Sequence, residues 1–157
     1  MTKEEINAYG MKITQASKTG IIVLMYEITI RYIEDGEQAL KQGKSMQFRE
    51  ELRKARTFLN ELIKCLDLSF PIGMELKQIY LFMNRVLQRA DISMETGELD
   101  RVKGMLAKLQ KSFQTLDQQA GDGPMMKNTQ QVYAGLTYSR NSLNESLYSD
   151  ANRGFRA

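Results

Sequence analysis

The fold is decided by residues 45–68, which read SMQFREELRKARTFLNELIKCLDL. Apolar side chains recur along this stretch at alternating spacings of four and three residues, and mostly charged or polar residues stand between them. This pattern places an apolar stripe along one face of an α-helix and is typical of a helix that packs in a bundle. The stripe consists of Phe48, Leu52, Ala55, Leu59, Leu62 and Leu66.

Three further segments carry the same periodicity, at about residues 17–41, 73–92 and 94–119. Each predicted helix is roughly 30–37 Å long, and the short connections between helices favour antiparallel neighbours. We therefore predict an all-α fold, an antiparallel up-down-up-down four-helix bundle whose helices cross at a shallow angle. The residues expected to be buried along its seam are Leu52, Leu59, Leu62, Met83, Leu106 and Leu109.

The chain has 157 residues, which suits one domain. We expect residues 1–16 to precede the bundle, residues 17–120 to form it, and residues 121–157 to form a linker and a C-terminal tail. The linker is rich in glycine and ends at Pro124. In the tail, the spacing of Val132, Leu136, Leu143 and Leu147 is consistent with one short amphipathic helix.

The composition argues against several classes of protein. The net charge is +3 with both signs interspersed, which is not the clustered basic stripe of a nucleic-acid-binding protein. The chain has no histidine, so it lacks the Ser-His-Asp triad and the Glu-x-x-His metal sites of helical bundles. Its one cysteine, Cys65, cannot form a structural zinc site alone, and we expect it to be a small buried core residue. We therefore expect no enzymatic activity, no metal and no cofactor.

The sequence also predicts where the protein resides. The longest apolar run, residues 21–26, is far shorter than the ~20 residues that a membrane-spanning helix needs. Polar residues interrupt every apolar stretch in the first thirteen residues, so no secretory signal is visible there. We expect a cytoplasmic protein that does not insert into membranes.

Two observations indicate a surface for a helical partner. The chain has ten methionines, and this flexible side chain is common on surfaces that accept helical peptides, although it also fills gaps in cores. The first three helices carry apolar residues beside their main stripes, such as Phe58 and Cys65 on the second. A helix in a bundle needs an apolar stripe only about 100° wide. The alternative is that the core is wider than one stripe.

Several short motifs at characteristic spacings resemble one known family. They are Met25-Tyr26 in the first helix, Leu66-Asp67 after the second, and Met83-Asn84-Arg85 in the third, three residues after Tyr80. Over roughly residues 6–119 the chain resembles the flagellin-specific export chaperone (FliS) family. It departs from the family where Thr19-Gly20 replaces acidic residues after the helix cap, and where Val86 replaces an arginine.

This resemblance implies a function. Members of the family bind the C-terminal segment of flagellin, which is disordered before assembly, and hold it as short helices over the bundle so that flagellin does not polymerise early. The expected context is type III export in the bacterial flagellum, with flagellin as the partner and export-gate components as further partners. The alternative is a generic helical-bundle adaptor or regulator that binds an amphipathic partner helix and has no export role.

The resemblance also implies that residues 1–16 lie over part of the binding surface, with Tyr9 and Ile13 as apolar contacts. Asn84 and Arg85 would supply polar contacts, either to the ligand or between helices. Self-association through the groove or the tail is left open, and so is occupation of the groove by the tail. The predicted partner-binding residues are Tyr9, Ile13, Tyr26, Phe58, Leu62, Cys65, Tyr80, Asn84, Arg85 and Leu87.

Overall fold

Five α-helices make up residues 1–120, the part of the chain that the structure, a computed structural model, describes. Within that range there is no strand, and the prediction of an all-α fold is confirmed. The helices are α1 (Lys3–Gln15), α2 (Lys18–Lys41), α3 (Ser45–Lys64), α4 (Pro71–Ser93) and α5 (Leu99–Ala120).

Helices α2 to α5 form a ring in which each helix packs against two neighbours. The start of α2 meets the end of α5, where Ser17 hydrogen-bonds to Asp117. Near the other end of the same pair, Lys103 of α5 donates a 2.6 Å hydrogen bond to Glu37 of α2. These two contacts make α2 and α5 antiparallel. Together with the antiparallel pairs α2–α3 and α3–α4, they establish the predicted up-down-up-down bundle.

Polar contacts also set the register of α3 against α4. Arg49, near the start of α3, lies 3.7 Å from Asp91 near the end of α4. Further along, the Nε atom of Arg56 donates a 2.8 Å hydrogen bond to Asn84. The sum of the residue numbers is 140 in both pairs, as an antiparallel alignment requires.

The core contains five of the six seam residues that the sequence predicted to be buried. Leu52, Leu59, Leu62, Met83 and Leu106 are each at most 2 % exposed. The sixth, Leu109, is half-buried at the edge of the core. The alternating spacings of four and three therefore identify the seam almost completely, because they follow the face that a helix turns towards its neighbours.

Two tyrosine hydroxyls meet in the centre of the bundle. Tyr26 of α2 and Tyr80 of α4 are 0 % and 1 % exposed, and their hydroxyl groups hydrogen-bond to each other. Phe113 of α5 packs edge-on against the ring of Tyr26, with 5.6 Å between ring centroids. Burial raises the pKa of both phenols, so both stay neutral. Because a buried hydroxyl without a partner is costly, this pair fixes α2 against α4.

Helix α3 ends at Lys64 rather than at Leu68, so the predicted boundary was wrong. Pro71 begins α4 as its first helical residue, which leaves only six residues for the reversal. A Cβ atom on Gly73 would lie 2.1 Å from the carbonyl oxygen of Asp67, so only glycine permits this close approach. The prediction that Cys65 is buried was also wrong. Cys65 follows the last residue of the shortened helix and is exposed.

Helix α5 begins at Leu99 rather than near Met94. Met94 instead ends α4 in a left-handed conformation with φ of 60°. The polar turn after it closes with a 2.9 Å hydrogen bond from the amide of Leu99 to the carbonyl of Thr96. The predicted start of the first bundle helix was accurate. Ser17 caps α2 by accepting a 2.8 Å hydrogen bond from the amide of Gly20.

Helix α1 lies outside the ring and contacts α2. The division of the chain at residues 16 and 120 stays a prediction, and the linker and the helix predicted in the C-terminal tail lie outside the described residues. None of the five described helices is long and apolar enough to cross a membrane. Within residues 1–120, no cluster of three His, Cys, Asp or Glu side chains is arranged to hold a metal ion.

We predict that Leu59→Ala lowers the free energy of unfolding by about 2–5 kcal/mol, because Leu59 is fully buried and its truncation leaves a cavity. The control is Leu116→Ala on α5, the same chemical change at a side chain that is 52 % exposed, with an expected effect within about 0.5 kcal/mol. Urea unfolding followed by circular dichroism measures both. A loss of less than about 1 kcal/mol in Leu59→Ala would contradict the assignment of Leu59 to the packed core.

Candidate partner-binding surface

Helix α1 is a local structure that the sequence encodes in its first turn. The side chain of Thr2 accepts a 3.2 Å hydrogen bond from the amide of Glu5, and the side chain of Glu5 accepts a 2.7 Å hydrogen bond from the amide of Thr2. This reciprocal capping box starts the helix, and the backbone hydrogen bond lowers the pKa of Glu5. The Thr-x-x-Glu spacing is the sequence signal that could have predicted α1.

A charged stripe on α2 holds α1 in place. Glu27, Arg31 and Asp35 are spaced by four residues and therefore lie on one face of α2. Tyr9 donates a 2.9 Å hydrogen bond to Glu27, and Arg31 donates a 3.1 Å hydrogen bond to Glu5. The N-terminal ammonium group pairs with Asp35, so α1 runs antiparallel to α2. This stripe was not predicted from the sequence, although its four-residue spacing is a signal that could have indicated it.

One group of this contact, the Tyr9 phenol, has a strongly shifted pKa. Burial, together with the hydrogen bond to Glu27, raises its pKa from 10.0 to about 12. A pKa that rises on docking means that the neutral phenol favours the docked state. The stabilisation is fully present below about pH 10, and it is lost as the pH rises through about 12. The docking of α1 is thus insensitive to this group at neutral pH.

The apolar part of the α1–α2 contact is shallow. No residue of α1 is fully buried, and only Tyr9 and Ile13 of the helix pack against the core from a half-buried position. On α2, Leu24 and Ile28 stand three residues from members of the charged stripe and share its face. Ile28 is only 3 % exposed although this face points away from the ring. The outer face of α2 is therefore an apolar strip with charged edges, covered by an amphipathic helix.

The ten predicted partner-binding residues differ in their accessibility. Tyr26, Leu62, Tyr80 and Leu87 are at most 2 % exposed and belong to the core. In this conformation Tyr26 and Leu87 offer no surface to a partner, because the core is wider than the main stripe of each helix. Leu62 and Tyr80 reach the surface only through a cavity that they line together with Cys65. The accessible members are Tyr9, Ile13, Phe58, Cys65, Asn84 and Arg85, of which Cys65 and Arg85 are exposed and the others half-buried.

Phe58 and Asn84 have well-defined surroundings. The Phe58 ring packs against Tyr32 of α2 with 5.7 Å between centroids, at the surface of the α2–α3 groove. Asn84 accepts a hydrogen bond from Arg56 and donates one of 2.6 Å to Asn60, both on α3. Of the two roles left open for Asn84, the structure shows the contact between helices.

A second apolar surface lies at the connection between α3 and α4. Four of its large apolar side chains are exposed, and we call this set the turn patch: Leu68, Phe70, Ile72 and Met74. Behind it is a cavity of about 170 Å³ that reaches Tyr80 and Phe113 and includes Cys65 in its wall. From the sequence, this stretch was predicted only to break the helix, because proline and glycine dominate the local signal.

We predict that Tyr9→Phe makes the amides of α1 exchange hydrogen about two- to tenfold faster, because a net hydrogen-bond contribution of about 0.5–1.5 kcal/mol to docking is lost. Thr14→Ala is the control. It also removes a hydroxyl group from α1, but that hydroxyl bonds to Met11 within α1 and does not contact α2. Hydrogen exchange by mass spectrometry measures both variants. Equal exchange in Tyr9→Phe and the natural chain would contradict a docking role for the phenol.

A family model described as flagellar protein FliS matches residues 3–120, well over half of the chain, and no curated protein matches the chain. The matched range covers α1 and the whole bundle. The resemblance found in the sequence is thereby confirmed. This is a family of flagellar export chaperones rather than of enzymes. The chain therefore belongs to the flagellar protein FliS family.

Proposed function

We propose that this protein is a cytoplasmic export chaperone that binds the disordered C-terminal segment of flagellin and prevents its premature polymerisation. One observation carries the proposal beyond the family assignment. The outer face of α2 already binds an amphipathic helix, α1, and no residue of α1 is fully buried in this contact. A surface that accepts one amphipathic helix through shallow contacts is suited to exchange it for another.

The chemistry of the face supports an initially disordered ligand. Such a ligand loses conformational entropy when it becomes a helix, so it needs apolar contacts to offset that loss. Leu24 and Ile28 provide an apolar strip, and Glu27, Arg31 and Asp35 provide charged partners along it. Ion pairs at such exposed positions contribute little free energy each. They serve mainly to orient the bound helix.

In this proposal α1 competes with flagellin. Because α1 is tethered to the surface that it covers, its effective concentration there is of millimolar order. Flagellin must displace α1, so its apparent affinity is reduced by the fraction of molecules in which α1 is docked. We also propose that the adjoining groove at Phe58 extends the flagellin site, and that export-gate components are a second class of partner once flagellin is bound.

We predict that Ile13→Asp strengthens the binding of a flagellin C-terminal peptide, because a charge at this half-buried contact undocks α1 and frees the face of α2. Met11→Asp is the matched control. It makes an apolar-to-acidic change on the same helix, at a side chain that is 67 % exposed, and should leave the affinity unchanged. Titration calorimetry with the full chain measures each affinity.

The outcomes separate the two functions considered. Binding of the peptide to the natural chain supports the export chaperone. Absence of binding overturns that function in favour of an adaptor without an export role. Binding that is equal or weaker in Ile13→Asp retains flagellin as the partner but contradicts the competition with α1.

We predict that Phe58→Ala weakens binding of the same peptide by more than about 1 kcal/mol, or roughly fivefold, because an aromatic side chain at a groove is a typical anchor. Thr57→Ala is its control, since Thr57 is exposed and its hydroxyl bonds only to the carbonyl of Arg53. Circular dichroism checks that both variants remain folded. Unchanged affinity in Phe58→Ala would restrict the site to the outer face of α2.

A further inference from the structure

The turn patch is unusual for a connection between helices. Leu68, Phe70, Ile72 and Met74 are 45 %, 59 %, 61 % and 59 % exposed, and all four lie within seven residues. Turns and loops normally present polar side chains to water, and contiguous exposed apolar side chains mark interaction sites. A single exposed leucine would need no explanation, whereas four large apolar side chains around one turn do.

The turn patch is also held in a defined shape. The backbone of Asp67 passes over Gly73 at a distance that no other residue would permit. The carboxylate of Asp67 accepts hydrogen bonds from both the amide and the hydroxyl of Ser69, at 2.9 and 2.6 Å. The Asp67 carboxylate is thus hydrogen-bonded within the loop. The other residues that line the cavity behind the patch are almost all apolar. A preformed apolar surface loses little entropy when it binds a ligand.

The topology places the end of α5 beside this surface. Asp117, in the last turn of α5, hydrogen-bonds to Ser17 at the start of α2. Phe113 of α5 and Ile22 of α2 line the same cavity as Ile72. The chain that follows Ala120 therefore starts at the end of the bundle that carries the turn patch. Residues 121–131 can extend for up to about 35 Å, several times the diameter of one helix.

We propose that the C-terminal tail, residues 121–157, docks on the turn patch of its own chain. Its sequence has the required chemistry. Apolar side chains recur at spacings of four and seven residues, and the four cationic and three acidic residues nearly balance. The tail thus fits a nearly uncharged apolar surface better than a charged one. The apolar residues concerned are Val132, Leu136, Leu143 and Leu147.

The tether makes this docking effective even if the contact is weak. The local concentration of a linked segment is of millimolar order, so a site with a dissociation constant of about 0.1 mM is occupied about nine-tenths of the time. The turn patch is distinct from the outer face of α2 that α1 covers. The proposal therefore does not depend on flagellin binding, and neither result decides the other.

The test compares hydrogen exchange in the purified full chain and in Phe70→Asp. Phe70 is the N-cap residue of α4, a position that aspartate favours, so the substitution removes apolar surface without weakening the helix. Met46→Asp is the matched control, because Met46 is 81 % exposed and lies in the first turn of α3, at the other end of the bundle. We expect peptides from residues 128–148 to exchange about tenfold faster in Phe70→Asp and unchanged in Met46→Asp.

Cys65 provides an independent readout, since it is the only cysteine of the chain and lines the cavity behind the patch. Its reaction with a maleimide reagent should be several-fold faster in Leu136→Asp than in the natural chain. Ser142→Asp introduces the same charge at a polar position of the tail and should not change the rate.

Three results overturn the proposal. The tail peptides of the natural chain exchange as fast as those of Phe70→Asp, or Cys65 reacts equally fast in Leu136→Asp and the natural chain. The third is a loss of protection of the tail amides against hydrogen exchange when the protein is diluted tenfold. That result would mean that the tail of a second copy binds the turn patch.

Discussion

The structure depends on the width of the apolar surface around α2. This helix packs against α3 and α5 within the ring and against α1 outside it, so three of the helices described in residues 1–120 share its surface. An apolar stripe of about 100° satisfies two bundle neighbours, whereas Leu24 and Ile28 extend the apolar surface of α2 beyond that width. The excess must be covered by something, because exposed apolar surface is unfavourable in water. Helix α1 supplies the cover, although none of its own residues is fully buried.

The centre of the bundle imposes a second constraint. The hydroxyl groups of Tyr26 and Tyr80 satisfy each other in the core, and this requires α2 and α4 to keep one relative height. A slip of one helical turn would leave both hydroxyls without a partner. The pair therefore sets the alignment of α2 and α4 at the level of the cavity behind the turn patch, which Tyr80 lines. The two surfaces that we propose for binding, by contrast, lie at the outside of α2 and at the end of the bundle.

The sequence was sufficient to predict the bundle but not its surfaces. The stripe from Phe48 to Leu62 identified the buried face of α3, because periodicity reports which side of a helix avoids water. Periodicity does not report how wide the core is, and Tyr26 and Tyr80 were therefore predicted to bind a partner although they are buried. Periodicity also does not mark the ends of helices. Cys65 was predicted to be buried, but α3 ends at Lys64 and Cys65 is exposed. Surface sites arise from the meeting of distant segments, such as Glu5 with Arg31, and a single sequence does not show which segments meet.

Ser17 has a consequence for the ends of the two helices that it joins. Its oxygen accepts the hydrogen bond that caps α2, and its single proton is directed to Asp117 in the last turn of α5. Terminal turns of helices ordinarily fray independently, but here the opening of one removes a partner from the other. Aspartate and asparagine are usually equivalent to serine as caps. At this position aspartate would face Asp117 with a like charge. In asparagine the acceptor and the donor are different atoms, so one atom could not serve both helices. Serine and threonine satisfy both helices, because a hydroxyl oxygen accepts one hydrogen bond and donates another.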